Sequence, residues 1–180
     1  MNSRGGLALL SILLLCNLVA AAQDNRRRSV RVETEEGTYG VSSEKLNEEH
    51  LGVPVYPGAR IKPQSGTSKD GANLSLEMGD ESLRVLAQTY LSDDAPDRVV
   101  SFYKARLAKY GPVLECRHGH AVGAVQTTRG LKCEAGDGDD NEVALKAGSE
   151  NDQHIVGIKP SGKGSEIGIA VVKQQKRETI

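Results

Sequence analysis

Four groups of residues have the types and spacing that chemistry needs. The first is Cys116-Arg117-His118-Gly119-His120, with Cys133 further along the chain. Two thiolates and two imidazoles make a tetrahedral zinc set, so His118 and His120 are candidate ligands. Their spacing is not that of a zinc finger or ribbon, and the same two cysteines also read as a disulfide with loop histidines beside it. The second group is Asp137-Gly138-Asp139-Asp140-Asn141-Glu142. Oxygen donors at alternate positions, Asp137, Asp139 and Asn141 with Glu142 following, are what calcium takes at the start of an EF-hand loop. That loop then needs a glycine where Glu142 stands and a closing glutamate where Gly148 stands. A solvated acidic turn is the simpler reading. The expectation is therefore no cofactor, with a calcium- or zinc-binding module as the alternative.

The third group is Gly157-Ile158-Lys159-Pro160-Ser161-Gly162-Lys163, which matches most of the phosphate-loop pattern G-x-x-x-x-G-K. Gly164 stands where the metal-binding hydroxyl belongs. The residues that follow alternate as a strand, whereas phosphate would need the N-terminus of a helix there. A hairpin loop accounts for the string. The fourth group would be a nucleophile with its base. The chain has no G-x-S-x-G elbow, no H-E-x-x-H helix and no cysteine with a histidine partner at a recognised spacing. His154 falls in a strand and reads as a sheet-surface residue. No catalytic residue is assigned, and a non-catalytic role is expected. A hydrolase whose carboxylates assemble only in three dimensions is a further alternative.

The elements that must position these groups read as strands with one helix. Residues 29–34 alternate, Glu36-Gly37 turns the chain, residues 39–41 return, and residues 43–50 make a helical turn or two. In Gly52-Val53-Pro54-Val55-Tyr56-Pro57-Gly58-Ala59 the two prolines fix φ and hold the residues before them extended. Tyr56 is thus presented from a stiff arm, against the core or, in the alternative, facing a ligand. Residues 73–78 and 82–91 alternate around Gly79-Asp80, a β-hairpin with Leu74, Leu76 and Met78 on one face. Asp93 or Asp94 caps a helix, and Pro96 suits its first turn. Val99, Phe102, Tyr103, Leu107 and Tyr110 recur at helical steps as one apolar stripe, and Gly111-Pro112 ends it. Strands return at 113–116, 121–125, 143–145, 153–159 and 166–172, the last pair a hairpin with Ile167, Ile169 and Val171 inward. The expected fold class is α+β: two layers, a mostly antiparallel sheet with one main helix, about 94–110, packed on one face.

Residues 1–22 have the pattern of a secretory leader. Arg4 precedes an apolar run over 7–15, and Ala20-Ala21-Ala22 offers the small residues of a cut before Gln23. The run is too short to span a bilayer, so the mature chain is expected to have no transmembrane span and to be periplasmic or secreted. Lipidation at Cys16 is disfavoured, because Leu15 stands where a small residue is needed. Export favours a Cys116–Cys133 disulfide, which stabilises by roughly 3 kcal/mol in the chain-entropy view. After the leader come an extended polar segment over 23–50, a single domain over 51–173 and a polar tail over 174–180. The formal net charge of the 180 residues is −1, and loss of Arg4 takes it to −2. Such balance argues against nucleic acid as a partner. With no Trp, one Phe and five Tyr, the chain also lacks the aromatics of a stacking platform.

The string Val53-Pro54-Val55-Tyr56-Pro57-Gly58-Ala59, followed by a strand pair and by Val99-Val100-Ser101-Phe102-Tyr103-Lys104-Ala105-Arg106-Leu107, resembles a segment of uncharacterised exported bacterial proteins. The resemblance covers about residues 51–110. It implies an exported α+β domain and brings no catalytic residues. The functional expectation is an exported non-catalytic domain that binds an unknown protein or envelope component.

Overall fold

The computed structural model describes residues 29–35, 37–44, 46–63, 71–78, 80–123, 129–138 and 141–176. The leader pattern, Cys16 and Asp139 lie outside the described residues. Among the described residues ten strands form one sheet: β1 (Ser29–Thr34), β2 (Gly37–Glu44), β3 (Arg60–Ile61), β4 (Gly71–Met78), β5 (Glu81–Ser92), β6 (Leu114–Arg117), β7 (His120–Ala121), β8 (Val143–Ser149), β9 (Asp152–Ser161) and β10 (Gly164–Lys176). Their order is β1-β2-β4-β5-β10-β9-β8-β6-β7, with β3 paired to β5. Each pairing is antiparallel. The helices are α1 (Glu48–Leu51) and α2 (Pro96–Leu107), the second running on into a 3-10 turn over Ala108–Tyr110.

The expected two-layer α+β fold with a main helix over about 94–110 is not formed. Of the described residues 54% are strand, in a single large antiparallel sheet. Length explains the difference. Twelve helical residues extend about 18 Å, whereas nine strands side by side span about 40 Å. So α2 roofs β8, β9 and β10, and among the described residues no helix lies over the β1-β2-β4 side. The sequence hides this because β1 and β2 are rich in Arg, Glu, Ser and Gly and read as a polar entry segment, yet they pair through to β4.

One core lies between α2 and the sheet. Val99, Val100, Tyr103 and Leu107 of α2 are buried against Leu145, Val156, Ile158, Ile167 and Ile169, closed at one end by Leu51 and Val53. Ile167, Ile169 and Val171 point inward as their period-two spacing predicts. Pro96 opens the helix, but its N-cap is Ala95, with no side-chain cap bond. Asp94 is engaged elsewhere: one oxygen accepts from the Tyr56 hydroxyl at 2.6 Å and the other pairs with Arg98 at 2.9 Å. A smaller core sits on the opposite face of the sheet. There Leu114, Cys116, Ala144 and Leu131 pack with Cys133, and Cys116 and Cys133 stand at disulfide distance, their Cα atoms 5.6 Å apart.

Candidate binding surface

The pairing register decides which side chains share a face. Residues directly opposite in antiparallel strands point the same way. One row runs Val30, Val41, Leu74, Val85 and Val172, and the next runs Val32, Tyr39, Leu76 and Leu83. Both rows lie on the face away from α2, since the helix-side residues of β5 and β10 are Leu86 and Val171. The neighbouring rows on the helix side are polar: Arg31, Gly40, Ser75 and Arg84, then Glu33, Thr38, Glu77 and Ser82. The apolar side of the sheet therefore changes over along its width. Around β8–β10 it faces the helix, and on β1, β2 and β4 it faces the other way.

Nothing among the described residues covers this second apolar face. Val30 is 64% exposed, Val32 50%, Val41 52%, Leu74 38% and Met78 43%. Scattered exposed aliphatics are ordinary, but a contiguous set on one face marks a surface that associates with something. The Tyr39 hydroxyl reaches the Met78 sulfur at 4.0 Å and gives the patch one polar handle. The helix-side surface of the same strands holds a shallow hollow of about 280 Å³, lined by Arg31, Thr38, Gly40, Ser42, Ser75 and Glu77. Gly40 keeps it open, for a Cβ there would stand 2.6 Å from the Ser75 hydroxyl.

The residues singled out in the sequence lie elsewhere. Cys116 and Cys133 stand at disulfide distance from each other, and a bond between them would leave no thiolate for a metal. His118 is exposed in the turn between β6 and β7, and His120 is exposed at the start of β7. Asp137 is already engaged: its carboxylate pairs with the buried Lys146 at 2.6 Å and accepts from the Glu134 backbone N–H at 2.7 Å. Lys146 also donates to the Lys132 carbonyl at 3.1 Å. Asn141 takes a positive φ of 64° in a turn, and the Glu142 carboxylate lies over Gly157, where a Cβ would overlap it. Among the described residues no group of three or more His, Cys, Asp or Glu side chains could hold a metal ion. Tyr56 is buried, edge-on to Phe102 with ring centroids 5.0 Å apart. Its backbone N–H donates to the Tyr103 hydroxyl at 3.0 Å. The bond to Asp94 and burial raise the Tyr56 hydroxyl above its ordinary range. The string at 157–163 forms the end of β9 and the turn into β10, as a hairpin loop should.

His154 departs from its sequence reading. It is 6% exposed and stacks on Tyr110 with ring centroids 3.5 Å apart and planes 14° from parallel. Tyr110 in turn donates to the Gly52 carbonyl. Burial pushes the His154 imidazole below its ordinary value, with Asp152 opposing. The signal was present in the sequence: His154 shares its period-two phase with Val156 and Ile158, so it goes in with them. The signal for the apolar face was also present, as the alternation of β1, β2 and β4. What the sequence lacked was the side each row would face.

No protein-family model matches this chain, and no curated protein and no solved structure matches it. Among the described residues no helix is long and apolar enough to cross a membrane.

Proposed function

We propose that this chain is an exported, non-catalytic binding domain whose apolar sheet face takes a protein or another component of the cell envelope. The observation that carries this reading is the contiguous exposure of Val30, Val32, Val41, Leu74 and Met78 on one face of β1, β2 and β4. A face of this kind is costly to leave in water and is the usual mark of an interaction surface. Export is supported by the leader pattern of residues 1–22 and by the Cys116–Cys133 pair, which persists in an oxidising compartment.

The test is titration of the exported chain with an apolar fluorescent probe. Saturable binding is expected in the parent, and its loss in the double variant Val41→Lys and Leu74→Glu, an opposite-charge pair across β2 and β4, with the fold intact by circular dichroism. Undiminished probe binding in that variant, or turnover of any substrate on a broad hydrolase panel, would overturn the reading.

A further inference from the structure

Among the described residues the sheet has two edges, and they differ. One is β7, two residues long. The other is β1, six residues long and exposed at every position, with a row of backbone N–H and C=O groups facing outward. Such an edge is a template for another strand, and folded proteins usually blunt it with a charge that repels a second copy. Here the charges do the reverse. The edge reads Ser29-Val30-Arg31-Val32-Glu33-Thr34. Arg31 and Glu33 lie on the same face, 3.5 Å apart and with side chains 68% and 74% exposed.

We propose that two copies of this chain pair antiparallel through β1, about a two-fold axis at Val32. In that register Val32 opposes the partner's Val32, and Val30 opposes the partner's Thr34. Arg31 meets the partner's Glu33, and Glu33 meets the partner's Arg31. Opposite charges directly across a pair of strands stabilise it, and like charges destabilise it. A shift of two residues sets Arg31 against the partner's Arg31 in one direction and Glu33 against the partner's Glu33 in the other, and a shift of one residue turns the apolar row to the charged side. Charge complementarity thus selects one register. The same pairing extends the row Val32, Tyr39, Leu76 and Leu83 into its copy, so that two apolar faces become one. A six-residue edge falls near the small end of specific interfaces, under about 1,200 Å², so association in the micromolar range is expected. The inference concerns the edge and does not depend on what the apolar face binds.

Sedimentation equilibrium on the exported chain tests it. The parent is expected to be dimeric at high micromolar concentration. Arg31→Glu alone and Glu33→Arg alone should each weaken self-association roughly tenfold or more, since two attractive pairs become repulsive. Mixing those two variants should restore a heterodimer, and the double variant carrying both changes in one chain should dimerise like the parent. Circular dichroism on each variant checks that the fold is kept, as the exposure of both side chains predicts. A parent that stays monomeric, a dimer indifferent to either single swap, or a mixture that fails to associate overturns the proposal. Loss of dimerisation with intact probe binding would separate this inference from the proposed function.

Discussion

At the residue scale, buried polar groups show which side chains the fold cannot exchange. Lys146 sits on the face away from α2, and its charge is compensated by Asp137 and the Lys132 carbonyl. Asp137→Ala should therefore lower stability by about 3–5 kcal/mol, the cost of stranding a buried charge, measured by urea unfolding. A calcium ligand at Asp137 would first have to displace Lys146, so chelator should leave the melting temperature unchanged. His154 carries a pH dependence. Its folded value is depressed by burial from an ordinary 6.5. Above that pH the ring is neutral in both states and its full contribution is present. As pH falls below it, the unfolded chain takes up the proton first and stability drops until the folded value is passed. Unfolding free energy should thus fall as pH drops below 6.5, and His154→Gln should flatten that slope; a variant that keeps it would assign the slope elsewhere. Glu115 acts further down. Burial pushes its carboxyl up, but the ion pairs with Lys104 and Arg117 outweigh this and hold it low. Its contribution is lost only as pH falls through the carboxylate range.

At the element scale, each face of the sheet has its own cover. Helix α2 shields β8–β10 with Val99, Val100, Tyr103 and Leu107, and Lys104 ties it to Glu115 on β6. The segment over 129–138 shields β6 and β8 from the other side, held by the Cys116–Cys133 link. Gly138 fits there because a Cβ would stand 2.5 Å from the Cys116 carbonyl oxygen, and its φ of 73° favours glycine. Reduction, or Cys116→Ser with Cys133→Ser, should cost roughly 3 kcal/mol in the chain-entropy view. The loss should be local. Amide exchange should speed up over 129–138 and β6 while the amides of α2 stay protected, and equal acceleration of both would mean the two cores unfold as one.

At the scale of the whole molecule, the sheet is wider than its covers. The β1-β2-β4 side turns an apolar surface to solvent on one face and a polar hollow on the other. Substitutions on that exposed face should cost the fold far less than substitutions in the core, because those side chains are only partly buried. Val41→Lys with Leu74→Glu, opposite charges directly across β2 and β4, is expected to leave the melting temperature within a few degrees of the parent, whereas Leu145→Asp, in the helix-side core, should prevent folding. A thermal scan of the three proteins distinguishes an exposed working surface from a hidden part of the core.

The sequence by itself determined the local pieces. Alternation located β4, β5, β9 and β10, the three- and four-residue spacing located α2, and the even cysteine pair predicted the contact of Cys116 with Cys133. These are properties of neighbouring residues and of backbone periodicity, and a chain carries them whatever it folds into. It took the folded chain to show that β1 and β2 join the same sheet as β10 and that, among the described residues, no helix covers the β1-β2-β4 side. It alone set His154 beneath Tyr110 and turned the Val30, Val41 and Leu74 row away from the helix. The physical reason is that period two separates the two faces of a strand without saying which will be inside. That choice belongs to the partner strands and to whatever packs above them.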